Sequence, residues 1–319
     1  MTNQQYKFLT RQARDSMLTA TDEVMRVTAK IYKQSATSLA TKLRTLPVGP
    51  LTAQDLNSLS MIQELNKLST NITESLDGII MDSVRRSSEI ATGVDKRYML
   101  ELGLDNIQVG DIIQHVNNDV VFTTVNRVYQ DGYTFSQRLW IEGQKTQNDI
   151  KLVLNSGIAQ GRDPIKVAKD LEQYLKDGKL SLMKRYGKLK AGTKEFAARI
   201  PNNVDYRAMR IIRTETYNSL RDAELLGAES NPGTTGWFDW IRTAGAEDYG
   251  CICPDLAAGS PYKASEVPNG PHPNCSCYVQ AQLRNQTEFV ADLKDWVAGG
   301  DVGYLDEWSF KTGYQNIVA

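Results

Sequence analysis

Four cysteines, at 251, 253, 275 and 277, are all that 319 residues contain, and they fall within one short stretch. One of only two histidines, His272, stands three positions before Cys275. These are the donor types of a structural zinc site, which takes four thiolate or imidazole ligands in a tetrahedron. Five candidates are present: Cys251, Cys253, His272, Cys275 and Cys277. A 21-residue loop (254–274) separates the two Cys-x-Cys pairs. Closing a loop of that length costs modest entropy, which a bound metal offsets because binding and local folding share one free energy. The loop holds five of the ten prolines, so it buries little apolar surface by itself and needs a staple. Two other states of the thiols stay open. They could pair as disulfides across the loop in an oxidising medium, or pack as free thiols.

Catalytic zinc chemistry fits this donor set poorly. Zinc deaminases pair a His-x-Glu element with a later Pro-Cys-x-x-Cys, whereas His272 follows the first cysteine pair and precedes Pro273-Asn274. A His-Glu-x-x-His hydrolase motif is lacking, as are a phosphate-cradling Gly-x-x-x-x-Gly-Lys-Ser/Thr loop and a Gly-x-Ser-x-Gly elbow. Closed, structural coordination is the expectation, with Zn2+ as the cofactor and no enzymatic activity.

A net charge of −1 argues against a polybasic nucleic-acid binder, so any DNA contact must come from a local patch. Such a patch exists at 176–199, which carries a net charge of +6. Lys184, Arg185, Lys188, Lys190 and Lys194 are its candidate phosphate contacts. A solvated loop without a ligand would have the same composition. The first residues lack the apolar core of a signal peptide, and no apolar run reaches membrane-spanning length. Synthesis in a reducing cytoplasm and no membrane partner are therefore expected.

The elements that must position these residues are mostly helical. From Arg11 to Leu43, Leu18, Val24, Met25, Val27, Ile31, Tyr32, Leu39 and Leu43 recur at helical spacing. Pro47, Gly49 and Pro50 end that helix, and Thr52 with Asp55 forms a capping-box pattern. Leu65, Leu68, Ile72, Leu76, Ile79 and Ile80 mark a second long helix, making an antiparallel hairpin. Between Asp105 and Tyr129 β-branched residues and Asn117-Asn118-Asp119 suggest a short β-hairpin, with a helix as the alternative. His115, alone in this stretch, is given no function. Asp163-Pro164 opens a helix with Ile165, Val167, Ala168, Leu171 and Leu175 inward.

A long helix follows over 204–227, in which Arg210, Thr214, Asn218 and Arg221 align on one side and Ile212, Leu220, Ala223 and Leu226 on the buried side. Asn and Thr are poor interior helix formers unless hydrogen-bonded, so this polar stripe is expected to pack against a neighbour. The segment 234–243 reads as a strand with Trp237 and Trp240. The tail from 281 carries Trp296, Tyr304, Trp308, Phe310 and Tyr314, which suits docking better than disorder. The expected fold is α+β and mostly α-helical. A helical arm (1–104) precedes a mixed core (105–280) with a stapled, β-rich loop region at 248–279, and a tail (281–319) follows.

These residues together resemble a known family. Arg213-Thr214-Glu215 with Asn218 on a helix, then Trp237, a cysteine pair and His272-Pro273-Asn274-Cys275-Ser276-Cys277 are similar to the Mu protein F-like minor head proteins of tailed bacteriophages. Ser136-Gln137-Arg138-Leu139-Trp140 and Gly157-Ile158-Ala159-Gln160-Gly161-Arg162 also look like family elements, so the resemblance covers about 133–280. Ser276 stands where the family has arginine, and the first pair is Cys-x-Cys rather than Cys-x-x-Cys.

The resemblance implies a head-morphogenesis protein inside the capsid near the portal, made in the host cytoplasm. Its implied partners are the portal protein, packaged double-stranded DNA and other capsid or scaffolding proteins, with roles in packaging or ejection. The helical hairpin and the tail become candidate docking segments. The alternative is a zinc-stapled, nucleic-acid-associated adaptor, or a toxin-like transferase or nuclease, outside the virion. The 39 residues after 280 are too few for the extra catalytic domain that some family members carry.

Overall fold

The computed structural model describes residues 1–129, 131–177, 206–242, 252–268, 275 and 277–315. Two long helices open the chain, α1 (Asn3–Arg44) and α3 (Leu59–Glu101), with a single turn, α2 (Ala53–Leu56), between them. Thr52 and Asp55 cap α2 reciprocally, as the capping-box pattern predicts. Helices α4 (Asn106–Asn126), α5 (Phe135–Ala159), α6 (Pro164–Asp177) and α7 (Tyr206–Glu229) follow. Strand β1 (Thr234–Ile241), the short helix α8 (Cys253–Ala258), β2 (Tyr262–Lys263) and β3 (Tyr278–Leu283) come next, and α9 (Gln286–Val297) and α10 (Gly303–Thr312) end the described chain. The fold is α+β and mostly α, as expected. Among the described residues no helix is long and apolar enough to cross a membrane.

The chain divides into two compact units built from non-contiguous segments: 1–22, 80–127 and 213–319 in the first, 23–79 and 128–212 in the second. In the first unit the N-terminal ammonium meets Glu101 at 3.1 Å and the Tyr6 hydroxyl donates to Asp95 at 2.8 Å, so α1 and α3 run antiparallel. In the second, the Ser38 hydroxyl donates to Glu64 at 2.5 Å, continuing the same hairpin.

Two helix faces expected from apolar spacing need correcting. On α1 the buried stripe is Tyr6, Thr10, Ala13, Met17, Ala20, Thr21 and Thr28, continuing into Tyr32, Leu39 and Leu43. Val27 is exposed, and Leu18, Val24, Met25 and Ile31 are only half-buried. Small side chains and threonines allow close approach, and the Thr21 and Thr28 hydroxyls satisfy themselves on carbonyls four residues back. On α6, Val167, Ala168 and Leu171 are buried, but Ile165 at the first turn is exposed.

Of the two readings of 105–129, β-hairpin or helix, the helix holds, as α4. Val109, Ile112, Ile113, Val116, Val120 and Thr124 are buried at helical spacing, and Asp105 caps the start by accepting from Gln108 N at 2.9 Å. Local β propensity loses to this buried face. Asn117, read as a turn residue, accepts from Ser88 at 2.5 Å and Thr92 at 3.0 Å.

The sheet has strand order β2-β1-β3, antiparallel throughout, with Phe238 opposite both Tyr262 and Ala281. The β1–β3 register shifts between Thr234 and Phe238, where Gly236 takes φ +77°. The tail docks on this unit. The rings of Trp308 and Tyr314 lie 4.8 Å apart, those of Trp296 and Trp308 lie 6.1 Å apart, and the Trp308 indole donates to Ser230 O at 2.8 Å. Of the tail's rings, Phe310 is the one left in solvent.

Candidate metal centre

The run from α7 into β1 turns at Asn231-Pro232-Gly233. Asn231 Oδ1 accepts Gly233 N at 3.0 Å, and the Thr234 hydroxyl returns to Ala228 O at 2.7 Å. Gly233 is required here because a Cβ would strike the Tyr98 ring. Past β1, Ser260 Oγ accepts Trp240 N at 2.7 Å and the Tyr262 hydroxyl donates to Leu256 O at 2.7 Å. These two bonds hold α8, with Cys253 as its first residue, against the sheet. Strand β3 starts immediately after Cys277, and its Val279 N donates to Glu224 Oε2 on α7 at 3.2 Å.

Cys253, Cys275 and Cys277 thereby meet. They are 1%, 3% and 3% exposed, and their sulfurs all lie within 4.8 Å of one another. Cys253 Sγ and Cys275 Sγ are 3.5 Å apart, and no disulfide joins any two of the three. A tetrahedral zinc with Zn–S bonds of about 2.3 Å places its sulfurs about 3.8 Å apart, so the cluster has the span the ion requires. Cys277 adjoins the first residue of β3. The Cys277 hydrogen bond and burial push the Cys275 thiol up, so without a cation this site holds it neutral. Coordination to a metal would reverse that, since a bound thiol is deprotonated outright.

The other two expected ligands, Cys251 and His272, lie outside the described residues, as do Lys184, Arg185, Lys188, Lys190 and Lys194. Arg210 lies on α7, with its side chain outside the description. The α7 stripe packs as expected in part. Thr214 and Asn218 are half-buried, as is Arg213, while Glu215 is fully buried. Thr216, beside the expected motif, bonds to α3: its hydroxyl pairs with Ser83 at 3.0 Å and its carbonyl accepts from Ser87 at 3.1 Å.

The two upstream motifs have structural roles in the second unit. Gln137 closes a capping box with Thr134, and Arg138 bonds Asp131 at 2.9 Å while stacking 3.6 Å over Tyr129. Gly157 abuts Val167, Gly161 takes φ +60° to end α5, and Arg162 pairs with the fully buried Asp170 at 2.9 Å.

A second buried polar group was not anticipated from the sequence. Asp95 Oδ1 accepts from the Tyr6 hydroxyl and from Asn231 Nδ2, each at 2.8 Å. Beside it, a cavity of about 10 Å³ is lined by Tyr6, Thr10, Asp95, Glu224 and apolar neighbours. Burial raises Asp95 to about 6 and drives Glu224 well above the ordinary carboxyl range. The signal was present: Asp95 sits four residues after Ala91 and Glu224 four after Leu220, both on buried stripes. No family model matches this chain, and neither a curated protein nor a solved structure is significantly similar to it.

Proposed function

We propose that this chain is a metal-stapled minor head protein of a tailed bacteriophage, attached at the portal inside the capsid and acting in head assembly and DNA packaging or ejection. The observation that carries the reading is the meeting of Cys253, Cys275 and Cys277 in one buried cluster. The resemblance in the Arg-Thr-Glu helix and the His-Pro-Asn-Cys-Ser-Cys segment supports it. The cation is Zn2+, whose preference for thiolate suits three cysteines. Cys251 or His272 supplies the fourth donor, which closes the coordination shell and makes the site structural rather than catalytic. When bound, the ion supplies a crosslink between α8 and the start of β3. The basic stretch at 176–199 is the candidate surface for packaged DNA.

Elemental analysis of the purified chain tests the cofactor: about one zinc per chain is expected, and Cys277→Ser should lose it. A wild-type chain that takes up no zinc overturns the metal reading. Mass spectrometry of purified particles, with copurification against the portal protein, tests the location. A particle that assembles without the chain, together with a chain that does not retain the portal protein, overturns the virion role.

A further inference from the structure

We propose that the cavity beside Asp95 is a binding site for one structural water molecule, which accepts a hydrogen bond from Glu224 Oε1 and donates to Asp95 and Thr10. The inference does not depend on the metal reading above. The cavity measures about 10 Å³, the order of space that one water fills. Polar residues from three helices line it: Tyr6 and Thr10 on α1, Asp95 on α3 and Glu224 on α7. None of the four is more than 7% exposed. Their hydrogen bonds must therefore be met inside the fold.

The protein alone leaves Glu224 incomplete. Its Oε2 accepts Val279 N at 3.2 Å, while its Oε1 is buried with no hydrogen-bond partner among the described residues. Burial outweighs the nearby Arg14 and Arg221 and favours the neutral acid. With Oε2 engaged as an acceptor, the acid proton belongs on Oε1, which then needs an acceptor of its own. The other lining groups offer lone pairs rather than protons. The Tyr6 hydroxyl gives its proton to Asp95 Oδ1, the same oxygen that Asn231 binds, so the second oxygen of Asp95 keeps its capacity to accept. The Thr10 hydroxyl gives its proton to Tyr6 O at 3.1 Å and also has only lone pairs left.

One donor and two acceptors thus line a space of water size. A water matches them with one lone pair and two protons, making about three hydrogen bonds, the usual number for a buried water. A cation would meet the proton on Oε1 instead of a lone pair. Through this one molecule the first turns of α1 are tied to α3 and α7.

A crystal structure of the full-length chain, at a resolution that shows ordered solvent, tests this. One buried density peak should lie about 2.5–3.0 Å from Glu224 Oε1 and from Asp95 or Thr10. In solution, an alanine-methyl-labelled chain should show nuclear Overhauser contacts at the water frequency from Ala13, Ala91 and Ala281, which also line the cavity. Glu224→Gln keeps an acceptor for Val279 and a donor for the water, and should retain the peak and the methyl contacts. Glu224→Met removes both groups and should lose them. If the methionine variant does not fold, the wild-type density decides alone. A wild type without the peak, methyl contacts that persist unchanged in Glu224→Met, or a peak held at short, cation-like distances by both carboxylates would each overturn the inference.

Discussion

Replacing Asp95 by asparagine should make the first unit more stable at pH 8 while leaving it nearly unchanged at pH 4. Burial holds a proton on folded Asp95 up to about pH 6, against an ordinary value of 3.8. Between those values the folded chain binds more protons than the unfolded chain, so stability is fully present below about pH 4 and is lost as pH rises through about 6. At about 1.4 kcal/mol per pH unit, the loss approaches 3 kcal/mol. Asparagine does not titrate. Its carbonyl can still accept from Tyr6 and Asn231. The ionisable groups around this site are Tyr6 and Arg14 on α1, Tyr98 on α3, and Glu224 and Arg221 on α7. Their arrangement is common to both proteins, so the difference between the two isolates Asp95.

Urea unfolding read by tryptophan fluorescence at pH 4 to 8 is the assay. Four of the five tryptophans (237, 240, 296, 308) belong to the first unit, so the signal reports mainly on it. The variant should gain up to about 3 kcal/mol at pH 8 and show a flatter profile between pH 4 and 7. Parallel profiles, or an asparagine variant less stable at every pH, would mean that Asp95 is ionised in the fold and that burial is not the dominant influence on it.

The same site and the second unit give two further expectations. Tyr6→Phe keeps the edge-to-face packing on Tyr98 but removes the donor to Asp95, and should cost about 1 kcal/mol by the same unfolding assay. Because that donor favours the charged carboxylate, its loss should also raise the pH midpoint assigned to Asp95. Gly157→Ala would place a Cβ 2.5 Å from Val167 Cγ2 and should lower stability by roughly 1–3 kcal/mol in thermal unfolding, with Val167→Ala as the compensating second change.

Where apolar residues repeat in large side chains, the helices could be read directly, as from Leu65 to Ile80 on α3. The first half of α1 was misread for a physical reason. Its inward face from Thr10 to Thr28 is built of Ala, Thr and Met, while the larger aliphatic residues lie at the margins. A scale that ranks residues by hydrophobicity shifts the stripe toward one edge when close helix approach, rather than apolar area, decides what is buried. Helix α4 misleads in the opposite direction. Valines and isoleucines favour strands locally, yet their spacing of three and four serves a helix whose asparagine satisfies hydroxyls on α3. The tail's aromatic residues correctly signalled docking, and the surface they dock on belongs largely to the chain itself.

The cysteine centre was legible because its chemistry is encoded in residue type, whereas the buried charges depend on position. Cys-x-Cys is an uncommon ligand spacing, yet both thiols of the second pair lie in the cluster, immediately before β3. By contrast, Tyr6, Asp95 and Asn231 are ordinary polar residues whose partners lie 89 and 136 positions apart. Glu224 joins the two sites. Its Oε2 holds the first peptide N–H beyond Tyr278, two residues from Cys277, and the residue also lines the cavity beside Asp95. The charge state of Asp95 and the occupancy of the cysteine cluster therefore act on the same turn of α7. Metal uptake should be sensitive to Asp95→Asn only through Glu224, so a cobalt(II) titration of that variant should stay close to wild type.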